Sequence, residues 1–213
     1  MLQLYNYFRS SASFRVRIAL NLKNLTYQDI PVHLLNNGGE QNSTQYQLLN
    51  PQGLVPVLLD DEKVISQSLA IIEYLEDVHP EKPLLPTDAY QKAQVRSFAL
   101  SIVAEMHPLN NLRVLQYLTK ELNLSEEQKT AWYIHWIENG FSALEKTLVT
   151  QKNSGDYCFG NTPTLADICL VPQVYNARRY ACDLSAYPTV SRIDAHCKNH
   201  PAFLNAWPQE AVT

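Results

Sequence analysis

The chain has no excess of basic residues, no apolar run near the roughly 20 residues that cross a bilayer, and no charged start leading into an apolar stretch. Each absence removes a class. With a net charge of -4 and no basic stripe, no nucleic-acid partner is expected. No membrane span is expected, and Met1-Leu2-Gln3-Leu4-Tyr5 enters a strand pattern at once, so no secretory signal is expected either. Cys158, Cys169, Cys182 and Cys197 form no C-x-x-C pair, which fits reduced thiols in the cytoplasm better than a disulfide framework. Cys197 lies beside His196 and three residues before His200, but no second ligand pair follows and no zinc spacing fits, so no metal is expected. Internal repeats and low-complexity segments are also lacking. What is present, 213 residues of which 46% are hydrophobic and 18% charged, suits a soluble globular protein of one large or two small domains.

Residues 2–7 alternate as a strand, and residues 11–23 repeat at helical spacing with Ala12, Val16, Ala19 and Leu20 on one face. Tyr27 to Leu34 read as an edge strand because Pro31 lies within it. Asn36-Asn37-Gly38-Gly39 marks a loop. Residues 55–59 and 63–65 read as a hairpin joined by Asp60-Asp61-Glu62. Ser68 to Val78 read as a helix with Ile71, Leu75 and Val78 on one face. This is a compact α/β unit with a mixed sheet over residues 1–79. Pro80, Pro83 and Pro86 then stiffen a linker, residues 80–87. Beyond it, residues 88–213 read as an all-helical domain, with long helical patterns over 88–120 and 126–150 and short helices over 188–198 and 200–206. Thr164 followed by Asp167 resembles a capping box, with Asp where Glu or Gln is usual.

Three places in the first unit could hold a ligand. Ser10 and Ser11 stand where a strand turns into a helix. They read either as a plain N-cap or as hydroxyls beside a bound thiol, since a helix start favours the thiolate. Ala12 offers no thiol, so the nucleophile would be brought in. Val55-Pro56 reads either as an edge marker or as a cis bond that turns the Val55 N–H and C=O toward an extended peptide. Gln67-Ser68 opens a helix and reads as a cap or as a seat for an α-carboxylate and α-amino group.

Over its full length the chain resembles the glutathione transferases. Within them it is similar to the zeta class, which holds the maleylacetoacetate isomerases and the closely similar maleylpyruvate isomerases. The likeness rests on residues 9–11 with 15–20, on Gln67-Ser68-Leu69-Ala70-Ile71-Ile72-Glu73-Tyr74-Leu75, and on Leu170-Val171-Pro172-Gln173-Val174. It implies a thioredoxin-like α/β N-terminal domain, an all-α C-terminal domain, a cytoplasmic homodimer, and glutathione as cofactor. The zeta pattern usually reads Ser-Ser-Cys, and Ala12 replaces that cysteine, so Ser10 is expected to activate the thiol with Ser11 in support. The implied glutathione contacts are Ser10, Ser11, Ala12, Ser13, Phe14, Arg15, Gln41, Val55, Gln67, Ser68, His107, Asn111, Leu112 and Arg113. Arg9 and Arg179 are implied partners of a small diacid substrate, with Arg178 the weaker candidate and Arg9 also placed in catalysis. His107, before the helix-kinking Pro108, reads as structural or as a glutathione contact.

The implied activity is the cis–trans isomerisation of maleylacetoacetate in aromatic amino-acid breakdown, by reversible thiolate addition. Leu112 stands where some maleylpyruvate isomerases carry arginine, which tilts the reading away from the shorter substrate. The resemblance is also compatible with a transferase acting on halogenated acids, and the same fold can serve as a non-catalytic interaction module.

Overall fold

The computed structural model describes residues 1–151 and 153–209, and the last four residues assigned to the helical domain lie outside them. The described chain divides into two units, one of residues 1–84 joined by the chain from His200 onward, the other Leu85–Asn199.

In the first unit, β1 (Leu2–Asn6) leads into α1 (Ser11–Leu22), then β2 (Gln28–Pro31), the short α2 (Thr44–Leu49), β3 (Val57–Asp60), β4 (Lys63–Ser66) and α3 (Ser68–Val78). The four strands are ordered β2-β1-β3-β4, with β2 parallel to β1 and the other pairs antiparallel. Pro31 sits at the end of edge strand β2, where a missing N–H breaks no ladder. The β3–β4 turn is tighter than the sequence reading has it, because Asp60 pairs with Lys63 and only Asp61 and Glu62 remain to turn the chain. Leu4, Phe14, Ile18, Leu20, Leu58, Ile71 and Leu75 form the fully buried centre.

Helix α1 buries Val16, Ala19 and Leu20 of its apolar face and takes in Arg15 and Arg17 as well, because each guanidinium has polar partners inside. One expectation needs correction: Val78 is 42% exposed and leaves the α3 face to Ile71 and Leu75.

The chain from His200 belongs with the first unit, not with the helical one. Helix α9 (Pro201–Asn205) lies on α1. The Asn21 amide donates to the Ala202 carbonyl at 3.0 Å, Arg17 donates to the Ala206 carbonyl at 3.1 Å, and Trp207 meets Phe14 edge-on. The linker is clamped inside this unit. Buried Lys23 bonds Glu76 at 2.7 Å and donates to the carbonyls of His79 and Lys82, while Glu76 accepts from the Leu84 N–H.

The second unit is helical: α4 (Ala89–Leu100), α5 (Leu112–Lys120), α6 (Glu126–Thr150), α7 (Leu165–Arg179) and α8 (Pro188–Lys198). The single pattern expected over 88–120 is broken. A π-helical turn over Ser101–Met106 and a 3-10 turn over His107–Asn110 separate α4 from α5, with Pro108 at the start of the 3-10 turn, where no N–H is missed. Thr164 and Asp167 complete both halves of the capping box, so the shorter acid serves as well as Glu.

Candidate functional site

Strand register gathers the three candidate places of the first unit at one edge of the sheet. Tyr5 pairs with Val57, so Val55 lies level with Tyr7, just before the turn to Ser10. Val57 pairs in turn with Ser66, so β4 delivers Gln67 beside the same edge. The Val55–Pro56 bond is cis, and the Val55 N–H and C=O have no protein partner among the described residues. The Val55 side chain packs with Tyr7, Val32, Tyr46 and Val57, which leaves its main chain as the group on offer.

Ser10 caps α1: its Oγ accepts from the Ser13 N–H at 3.2 Å, with extended backbone at the cap. Accepting that bond uses a lone pair and leaves the hydroxyl hydrogen to donate elsewhere, so the two readings of Ser10 are compatible. The first turn of α1 carries no acidic side chain, and its opening N–H groups have no helical partner. Ser11 is buried and Ala12 half-buried beside them.

The side chains of Ser13, Phe14 and Arg15 are turned inward. Ser13 accepts from the Tyr7 N–H at 3.5 Å and Phe14 meets Trp207. Arg15 is 1% exposed, and its guanidinium donates to Ser68 Oγ at 3.3 Å. It therefore joins the start of α1 to the start of α3 from behind and adds a buried positive charge to two helix N-termini.

Gln67 opens α3 at φ +71°, a left-handed conformation costly for a side-chain-bearing residue, and its side chain does not cap the helix. Its amide donates instead to Gln52 Oε1 at 2.6 Å and ties α3 to the loop before Val55. Gln41 sits on a 3-10 turn whose backbone abuts that loop: a Cβ at Gly53, which has φ +60°, would lie 3.2 Å from the Gln41 carbonyl oxygen. Its amide donates to the Leu34 carbonyl at 3.4 Å.

Arg9 is held by aromatic rings. Its Nε and Nη2 donate to Tyr7 Oη at 3.2 and 2.8 Å, and its guanidinium lies over Phe8 at 5.1 Å. No acidic partner for it is found among the described residues, which leaves the remaining N–H groups to bind an anion. Tyr7 and Gln52 escaped the sequence reading. Tyr7, two residues before Arg9, could have been suggested by strand alternation, whereas the Gln52–Gln67 bond has no local signal.

In the second unit, His107 opens the 3-10 turn and is half-buried. Asn111 caps α5, its Oδ1 accepting from the Arg113 N–H at 3.2 Å, with Leu112 half-buried and Arg113 exposed behind it. Arg178 and Arg179 part ways at the end of α7. Arg178 donates to buried Asp194 at 2.8 Å and is committed to the fold, whereas Arg179 is exposed over the Tyr175 ring at 5.9 Å.

Residues 4–83 match the family model of the glutathione S-transferase N-terminal domain, and residues 137–207 that of the C-terminal domain. A probable maleylacetoacetate isomerase of Vibrio cholerae is 50% identical over 97% of this chain and 95% of its own. The holo structure of a bacterial zeta-class maleylpyruvate isomerase superimposes with a TM-score of 0.94 at 44% identity, covering 99% of this chain and all of that one. A maleylacetoacetate isomerase of Anaeromyxobacter dehalogenans, solved with dicarboxyethyl glutathione and citrate in its active site, has a TM-score of 0.86 at 37% identity over 100% of this chain and 96% of its own. With a thioredoxin-like first unit, a helical second unit and these matches, the chain belongs to the glutathione S-transferase family.

Proposed function

We propose that the protein is a zeta-class enzyme that converts maleylacetoacetate to fumarylacetoacetate with glutathione as a recycled cofactor. One observation carries the reading: α1 starts at a half-buried serine whose hydroxyl hydrogen is unspent, with no acid in the first turn and Arg15 buried behind it. The residues fit glutathione: the Val55 main chain suits an extended peptide, and the strained Gln67 and Ser68 start a helix suited to its α-carboxylate. When bound, glutathione supplies a thiolate that adds to the cis double bond, lets it rotate as a single bond, and leaves again. Ser10 donates its hydroxyl hydrogen to the sulfur, and the opening N–H groups of α1 favour the anion over the thiol. Arg9, fixed on Tyr7, and Arg179 bind the carboxylates of the diacid. His107, Asn111, Leu112 and Arg113 are proposed glutathione contacts from the second unit. Bacterial and animal relatives named as maleylacetoacetate isomerases support the substrate.

The maleylpyruvate reading is the nearest rival, and Leu112 in the first turn of α5 stands against it. Initial rates on the two diacids, with glutathione followed alongside, decide the matter. We expect faster turnover of maleylacetoacetate with the glutathione concentration unchanged. A preference for maleylpyruvate would move the enzyme to that pathway, stoichiometric loss of glutathione would make it a conjugating transferase, and failure to bind immobilised glutathione would leave a non-catalytic module.

The same reading carries a homodimer in the cytoplasm. Four buried free thiols fit the reducing compartment. No described helix is long and apolar enough to cross a membrane.

A further inference from the structure

One turn of α6 holds two pieces of the second unit that are far apart in sequence. The Tyr133 carbonyl accepts from Asn110 Nδ2 at 3.3 Å, and Trp132 Nε1 donates to the Leu109 carbonyl at 2.8 Å, so the turn that starts at His107 is fastened to α6 at two points. Below it, Met106 packs against Gly140, where a Cβ would come within 2.0 Å of the methionine methyl. The Tyr133 ring itself faces the other way. It stacks on Tyr180 with centroids 3.6 Å apart and planes 9° from parallel.

Tyr180 is the residue after Arg179 and caps α7. The helix end there is closed by two bonds: Cys182 N–H donates to the Ala177 carbonyl and Ala181 N–H to the Arg178 carbonyl, the paired bonds of a Schellman end, with Ala181 at φ +53°. Arg178, on the other side of Arg179, is tied to Asp194. The backbone of Arg179 is thus fixed by its neighbours, and Tyr133 holds the one of them that faces α6. Burial pushes the Tyr133 hydroxyl well above its ordinary range, Tyr180 adds to that rise, and the charge of Arg179 opposes it.

We infer that Tyr133 is a positioning residue that fixes the aim of Arg179 through the ring of Tyr180, and so sets the affinity for the diacid without touching it. The inference rests on the reading of Arg179 as the substrate carboxylate's partner. Planar stacking is the working contact, so the ring is needed and the hydroxyl is not.

The test is steady-state kinetics of the full-length enzyme on maleylacetoacetate, varying diacid and glutathione separately, for Arg179→Ala, Tyr133→Phe, Tyr133→Leu and Tyr180→Leu. We expect Arg179→Ala to raise KM for the diacid most. Tyr133→Leu and Tyr180→Leu should raise it by about three- to tenfold, the worth of an aromatic pair, with KM for glutathione and kcat within about twofold of wild type. Tyr133→Phe should match wild type. If Arg179→Ala raises the diacid KM while both leucine variants leave it unchanged, the positioning role is overturned and the reading of Arg179 stands. If Arg179→Ala itself has no effect, both fall. A uniform loss of active protein, with every constant of the folded fraction unchanged, would mark the stack as structural only and overturn the inference. Should Tyr133→Leu not fold, Tyr180→Leu, at a half-buried ring, decides alone.

Discussion

Helix α1 starts after Ser10 and helix α7 after Thr164, and the two starts use the same hydroxyl cap under opposite conditions. At α7 the cap hydroxyl and the acid are both consumed within the fold. Asp167, fully buried, accepts from the Cys158 N–H at 2.8 Å, from the Thr164 N–H at 2.9 Å and from the Thr164 hydroxyl at 3.1 Å. At α1 the cap hydroxyl accepts one bond, the first turn has no acid to neutralise the helix dipole, and Ser10 is half-buried. The acid at the third position closes the start of α7, whereas the start of α1 keeps a dipole that favours an anion. The two starts therefore differ in the carboxylate as much as in the hydroxyl.

That contrast is broken most forcefully at Asp167. Replacement by Ala strands two buried N–H groups and a hydroxyl, each worth roughly 1–3 kcal/mol when unsatisfied, so a loss on the order of 3–5 kcal/mol is expected. The urea midpoint measures it, and a loss under about 1 kcal/mol would show that the box is not a closed structural cap. The pH dependence has a definite sign. Burial raises the Asp167 pKa above 3.8, against the hydrogen bonds that lower it. A folded value above the unfolded one means that the contribution of this carboxyl is full below pH 3.8 and declines as pH rises through the folded pKa. The difference between wild type and Asp167→Ala should therefore narrow from acid toward neutral pH.

Ser10→Ala makes the opposite demand. Losing the cap bond costs about 1 kcal/mol of stability, whereas losing a donor to developing negative charge costs about 10²–10³ in turnover. Thermal unfolding and isomerase assays on the same sample separate the two. Turnover near the wild-type value would reduce Ser10 to a cap like Thr164.

The closed start was easier to read from sequence than the rest of its neighbourhood. Thr164 and Asp167 announce the capping box because both partners lie within one turn, and Ser68–Val78 is bounded as its periodicity predicts. Local signals also placed Ser10 at a cap and made a cis bond before Pro56 one of two readings. Distant partners hid the rest. Arg15 entered as a ligand contact only through the family resemblance, and its bond to Ser68, 53 residues away, has no local signal. Helix α2 went unseen because only Tyr46 of it is buried, so it has no apolar period to detect. The break at Ser101 has no mark in the sequence, and the docking of α9 depends on carbonyl groups that no sequence pattern marks.

The far ends of the same two helices carry the comparison to its smallest effect. Both end in paired Schellman bonds: Leu25 N–H to the Leu20 carbonyl with Asn24 to Asn21, and Cys182 to Ala177 with Ala181 to Arg178. The left-handed residue is Asn24 at φ 56° in one and Ala181 at φ 53° in the other. Asparagine tolerates that region, while alanine is strained there by about 1–2 kcal/mol. Glycine removes the strain but gives back roughly 0.4–1 kcal/mol through the freer unfolded chain. Ala181→Gly should therefore stabilise the protein by about 0.5–1 kcal/mol, and Asn24→Gly by no more than a few tenths. Glycine keeps the native φ, so the Tyr133–Tyr180 stack and the diacid KM should survive Ala181→Gly. Denaturation of the two variants side by side measures the difference, and an equal response would mean that α7 carries no more strain at its end than α1 does.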